Sequence, residues 1–262
     1  MSNNLAKTFE EKALIAYVTL GDPSWEYTVN YCKALIDTGI SMIEIGLPFS
    51  DPIADGPIIQ ASHQRALASG EDVSVKRGLA LIDTLKDYSP NTPLIIMSAT
   101  NLIMQYGYNN FFKEAASVGC DGLIMPDASI EMATMIKKEI EPSKMPLINI
   151  VSPLCTKDRL QTIVKHSEGF IYVLSSTGIT GERDHFSATL KQFVLEIKAI
   201  HDIPVAIGFG ISQQSHCQEL SQFSDGIIIG SHFVKIMQDN ITDSQEAITA
   251  VCTRVKQFKA VL

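Results

Sequence analysis

Eight short apolar runs, at 14–19, 42–45, 94–98, 122–125, 147–151, 170–174, 205–208 and 226–229, recur along the chain between longer amphipathic stretches. Most are continuous rather than alternating. That is the pattern of parallel strands buried on both faces, not of strands with one wet face. In the intervening stretches apolar residues return at helical spacing: Tyr27, Tyr31, Ala34 and Leu35 mark one face, and Phe193, Ile197 and Ile200 another. Strand and helix in alternation build right-handed βαβ units. Eight such units within 262 residues predict an α/β protein, a TIM (β/α)8 barrel. A doubly wound open sheet is made of the same units, and strand order is not written in local pattern.

No low-complexity tract, charge block or Gly/Ser linker divides residues 1–262, which read as one barrel domain with extra helices. An N-terminal helix is expected over about 2–12 and another from about 231. The gap between Ile45 and Leu94 must hold a loop and more helix than one barrel unit needs, with Pro90 and Pro93 ending the last of it. Net charge is −8, which argues against nucleic acid or an anionic membrane as partner. It leaves room for a phosphate held by backbone amides. The five cysteines are scattered and contain no Cys-x-x-Cys, so they read as reduced thiols of a cytoplasmic protein. No apolar run approaches the roughly 20 residues of a membrane span. The six histidines fall on expected helices or their ends, in no metal-ligand arrangement. A surface role is expected for most of them, and no metal.

Chemistry concentrates where strands end. The second run carries Glu44 and opens into a Gly/Pro/Asp-rich loop with Asp51 and Asp55. A carboxylate on an apolar strand is costly unless paired, solvated or used, so Glu44 is equally compatible with a salt bridge to a barrel Lys or Arg. Taken alone, Asp51 and Asp55 read as turn-capping aspartates. Thr19-Leu-Gly-Asp-Pro23 is by itself a turn, and Ser175-Ser-Thr-Gly-Ile-Thr-Gly181 a donor-rich loop able to clamp an anion or act as a lid. Glycines after the seventh and eighth runs, at Gly208, Gly210 and Gly230, precede a helix opening at Ser231. Paired glycine loops there, with a helix N-terminus, are what a barrel phosphate site requires.

The string Glu44-Ile-Gly-Leu-Pro-Phe-Ser-Asp-Pro-Ile-Ala-Asp-Gly-Pro57 resembles the signature of the tryptophan synthase alpha chain. The resemblance extends through Thr19–Pro23, Asn101 with Tyr106-Gly107, 123–127, 172–181, 208–212 and 230–231. It implies a TIM barrel that cleaves indole-3-glycerol phosphate to indole and glyceraldehyde 3-phosphate by a retro-aldol reaction. By resemblance Glu44 shuttles protons, Asp55 accepts the indole N–H, and Tyr172 contacts substrate near Glu44. Phosphate is assigned to Gly181, Gly210, Gly230 and Ser231, and the indole to Tyr17 and Phe209, with Ile150 added from its position. Asp51, Pro52 and Asn101 fall to partner coupling, and Thr177, Gly178 and Thr180 to the lid. The implied partner is a beta chain in an αββα complex. Pyridoxal phosphate belongs to that partner, so no cofactor is expected in this chain.

The chain departs from the family's pattern at several places. Tyr17 stands where Phe is usual, and Ala99 where Tyr is common beside the indole site. Asp127 lacks its usual following Pro, the loop Ser152-Pro-Leu-Cys-Thr156 differs, and Ser176 replaces a larger lid residue. Another phosphate-binding barrel, or a barrel that mainly docks to a partner, are the competing readings. The Pro-Phe-Ser-Asp-Pro loop counts against the first, and the presence of Glu44 and Asp55 against the second.

Overall fold

The computed structural model describes residues 5, 7–53, 55–140, 145–175, 188–208 and 210–262. Its strands are Ala13–Thr19 (β1), Met42–Gly46 (β2), Leu94–Met97 (β3), Gly122–Ile124 (β4), Leu147–Val151 (β5), Ile171–Leu174 (β6), Val205–Gly208 (β7) and Gly226–Ile229 (β8). All neighbours are parallel, in chain order, and β1 pairs with β8 through Ala13↔Gly226 and Ile15↔Ile228. Closure excludes the open sheet. It also leaves no strand edge with unpaired amides.

Burial on both faces is why the strands are continuous apolar runs. One set of side chains, including Leu14, Ile43, Ile96, Val173 and Ile229, packs outward with the helices in the larger core. The alternate set, including Ile15, Met42, Ile95, Ile124, Ile148 and Ala206, fills the barrel interior. Leu5 and Phe9 belong to that inner cluster, with the Phe9 ring centroid 5.3 Å from that of Phe170. The helix expected over about 2–12 stops short of that range. Leu5 and Lys7 are helical, but 8–12 is turn and coil, because the chain must bend there to bring Phe9 under the barrel.

The long gap after β2 holds two helices, Pro57–Ala68 (α2) and Val75–Tyr88 (α3), following Trp25–Asp37 (α1) after β1. Ser24 caps α1 by accepting the Tyr27 N–H at 3.2 Å, and α2 opens on Pro57, whose missing N–H costs nothing in a first turn. Thr100–Tyr106 (α4) and Tyr108–Ser117 (α5) follow β3, Ile130–Glu139 (α6) follows β4, and Lys157–Lys165 (α7) follows β5. Ala188–Ile200 (α8), Gln214–Leu220 (α9), Ser231–Asp239 (α10) and Ser244–Lys259 (α11) complete the described helices. None is long and apolar enough to cross a membrane.

Candidate active site

The strand pattern places Glu44 on the inner face of β2, opposite Tyr17 of β1 and Ile95 of β3. Its side chain is buried, and no salt bridge forms with it among the described residues; its Oε1 is buried without a hydrogen-bond partner. Among the described residues no cation answers the ion-pair reading of this carboxyl, and barrel cations pair elsewhere. Lys86, for example, lies 2.7 Å from Asp121. Burial pushes the Glu44 carboxyl up to about 8, and the nearby Asp55 charge adds to the rise.

Asp55 sits half-buried on the loop joining β2 to α2, at a turn closed by its N–H on the Pro52 carbonyl at 3.1 Å. Gln60 Nε2 donates to the Asp55 carbonyl at 2.7 Å, so the backbone is held and the carboxyl left for other work. Burial raises it only to about 6. At neutral pH the interior acid is thus protonated and the rim acid ionised, two carboxyls driven apart by environment.

Two tyrosines stand beside Glu44. The Tyr17 hydroxyl lies where a Cβ on Gly46 would come within 2.1 Å, and the Tyr172 hydroxyl within 2.3 Å of one on Gly208. Each phenol occupies space that only a glycine on the neighbouring strand leaves open. Burial, then the Glu44 and Asp55 charges, hold Tyr172 protonated. Ile150 also faces inward, against the cluster containing Tyr172.

A cavity at the barrel mouth is lined by Tyr17, Gly46, Asp55, Met97, Ala99 and Pro126, among others. Asp127 on its wall accepts the Thr100 N–H at 2.9 Å and the Thr100 hydroxyl at 2.7 Å. It thereby caps α4, which has no cap of its own at Ala99. Across the mouth, Gly210 has φ +72 and open space where a Cβ would project. Gly230 precedes α10 without a side-chain cap, leaving first-turn amides beginning at Ser231 for a ligand.

The chain matches the family model described as "Tryptophan synthase alpha chain" over residues 3–262. This protein belongs to the tryptophan synthase alpha chain family. The alpha subunits of this lyase family cleave indole-3-glycerol phosphate. The chain is 39% identical to the tryptophan synthase alpha chain of Carboxydothermus hydrogenoformans, over 96% of its own length and 94% of that relative's. It is equally identical to the Methanosarcina acetivorans alpha chain over 92% and 88%. Its fold is similar to the crystal structure of the Legionella pneumophila alpha chain, with TM-score 0.87 at 28% identity, covering 100% and 97%.

Tyr17 and Asp55 line the cavity at the barrel mouth, Gly210, Gly230 and Ser231 follow the ends of β7 and β8, and Glu44 and Tyr172 lie buried within β2 and β6. Asp51 and Asn101 are exposed and Pro52 half-buried; Asp51 and Pro52 line the mouth cavity with Asp55. Gly181, Phe209, Thr177, Gly178 and Thr180 lie outside the described residues. The surface role expected for most histidines does not hold among those described: His63 and His216 are buried and His232 half-buried, while His166 and His201 are exposed. His63 lies on the buried face of α2, where helical position without a packing partner gave no warning of burial. Also unforeseen is Asp22, buried and gripped by Arg65 Nε at 2.9 Å and Nη2 at 2.7 Å. That bidentate pair staples the loop after β1 to α2, and Arg65 Nη1 continues to Gln238 of α10 at 3.1 Å.

Proposed function

We propose that this chain is the alpha subunit of a cytoplasmic tryptophan synthase, with Glu44 as the acid–base of the retro-aldol cleavage. The observation that carries the reading is the pair of carboxyls in unlike surroundings, Glu44 buried and unpartnered at Oε1 inside the barrel and Asp55 half-buried at its rim, so that burial raises the first pKa more than the second. Protonated Glu44 delivers its proton to the ring carbon bearing the side chain. The cation formed spreads onto the ring nitrogen, whose N–H is held by ionised Asp55. Glu44, now ionised, takes the proton of the adjacent side-chain hydroxyl as that oxygen becomes the aldehyde. The carbon–carbon bond breaks, its electron pair refills the ring, and indole leaves neutral. One carboxyl near pKa 8 is suited to both transfers.

Tyr172 borders the reacting carbon. Tyr17, Ile150 and Phe209 enclose the indole, and Gly181, Gly210, Gly230 and Ser231 take the phosphate. The partner is a beta chain in an αββα complex, with pyridoxal phosphate in the beta chain and no cofactor in this one. Asp51, Pro52 and Asn101 serve the coupling contact, and Thr177, Gly178 and Thr180 the lid. Neither nucleic acid nor a membrane is a partner. The test is indole release from indole-3-glycerol phosphate by the native chain and by Glu44→Gln. Cleavage should fall by about 10²–10⁴-fold while binding to the beta chain persists. Undiminished cleavage would remove Glu44 from the chemistry.

A further inference from the structure

His63 is a buried titratable group that the chemistry above does not use. Its Nδ1 lies 3.3 Å from the Phe49 backbone nitrogen, and its Nε2 lies 2.9 Å from the Tyr17 hydroxyl. A backbone N–H can only donate, so Nδ1 is the bare nitrogen of the ring and Nε2 carries the hydrogen. Burial lowers the basicity of His63, in keeping with a neutral ring. It follows that His63 donates to Tyr17, and the phenol oxygen accepts.

Tyr17 must then place its own proton elsewhere. Thr19 Oγ1 is 3.5 Å away, a long contact. Ser62 gives its proton to the Ile59 carbonyl at 2.7 Å and so receives that of Thr19, also at 2.7 Å. Among the described residues no acceptor lies closer to the Tyr17 hydroxyl than Thr19 Oγ1. The hydroxyl lies against Gly46, two residues beyond Glu44 on β2, and Tyr17 shares the cavity wall with Asp55.

We propose that His63 is a positioning residue that turns the Tyr17 hydroxyl into a hydrogen-bond donor toward the side-chain oxygen of the substrate, the oxygen that becomes the aldehyde. Tyr17 keeps its proton throughout; no bond at the phenol forms or breaks. The donor strengthens its hold as that oxygen loses its proton to Glu44 and gains negative character. The inference rests on the lyase reading and adds to the site a polar contact that a phenylalanine would lack.

Two measurements test it. In the native chain, ¹⁵N shifts of the His63 ring should report a protonated Nε2 and a bare Nδ1; the reverse tautomer overturns the proposal. In the cleavage assay Tyr17→Phe, which keeps the ring and removes one neutral hydrogen bond, should lower kcat/KM by about three- to tenfold. His63→Leu should lower it similarly, and the double variant no further, because both remove one contact. His63→Gln, with an amide oxygen for Phe49 and an amide N–H for Tyr17, should recover most of the loss. Tyr17→Phe equal to the native chain, or losses that multiply in the double variant, overturn the proposal while leaving the lyase reading intact if Glu44→Gln is inactive. No indole release from the folded native chain overturns both.

Discussion

Burial sets the behaviour of Glu44, and the Asp55 charge reinforces it. An isolated carboxyl on an apolar strand would ordinarily be a defect; here desolvation raises its pKa into the range where it can both give and take a proton. Asp55, nearer solvent, titrates about two pH units lower. Cleavage requires the first protonated and the second ionised, so kcat/KM against pH should be bell-shaped. Its acid limb should lie near 6 as Asp55 gains a proton, and its alkaline limb near 8 as Glu44 loses one. Because the two charges interact, the limbs belong to the pair, and Asp55→Asn should abolish the acid limb and shift the alkaline one downward. A flat profile across pH 6–8 would contradict the assignment of the two roles.

The loop after β2 divides its labour along its length. Asp55 is held half-buried in the cavity wall, whereas Asp51, on the same wall, is exposed and accepts the Ser50 hydroxyl at 2.7 Å. Beside it, Ile53 is 83% exposed, a large apolar side chain at the loop tip. Asp51→Ala should therefore reduce activation by a beta chain much more than the activity of the isolated subunit; equal loss in the two assays would move Asp51 into the chemistry. On the opposite side of the mouth, Gly210 combines a left-handed backbone with open space in front of its Cα. Gly210→Val should strain that turn and obstruct the phosphate, raising KM for indole-3-glycerol phosphate about tenfold or more, at roughly the strain cost of a φ > 0 side chain in stability. An unchanged KM would take the loop after β7 out of the phosphate site.

For the whole molecule, keeping an acid inside the barrel carries a stability cost that depends on pH. In the unfolded chain Glu44 ionises near 4.5, and in the folded one near 8. Between those values only the folded state holds the proton, so stability falls as pH rises through the interval and is level above it. At about 1.4 kcal/mol per pH unit the full loss is on the order of 5 kcal/mol. Glu44→Gln should recover most of it. In urea unfolding the variant should gain over the native chain between pH 5 and pH 9, and an equal difference at both pH values would refute the buried-acid account.

The barrel was legible because both faces of its strands are buried. Residues such as 205–208 and 226–229 had to be apolar or glycine throughout, and their runs end where the strands do. Glu44 and Asp55 were legible from a string of rare specificity. Contacts that join distant residues were not. Nothing near Asp22 announces Arg65, 43 positions away, and nothing in α2 announces that His63 meets Tyr17. Such pairings arise from the packing of α2 beside β1, which appears only after the chain has folded.

The fit of Tyr17 over Gly46 also bears on descent. A β-carbon at 46 and the phenol at 17, where it now stands, cannot coexist. A lineage from this chain can therefore gain a larger residue at 46 only after the ring at 17 has been lost. The reverse order passes through an intermediate in which the Tyr17 ring is pushed off its place over β2. Two positions on different strands thus share one history, and the route between their present and future states runs in one direction.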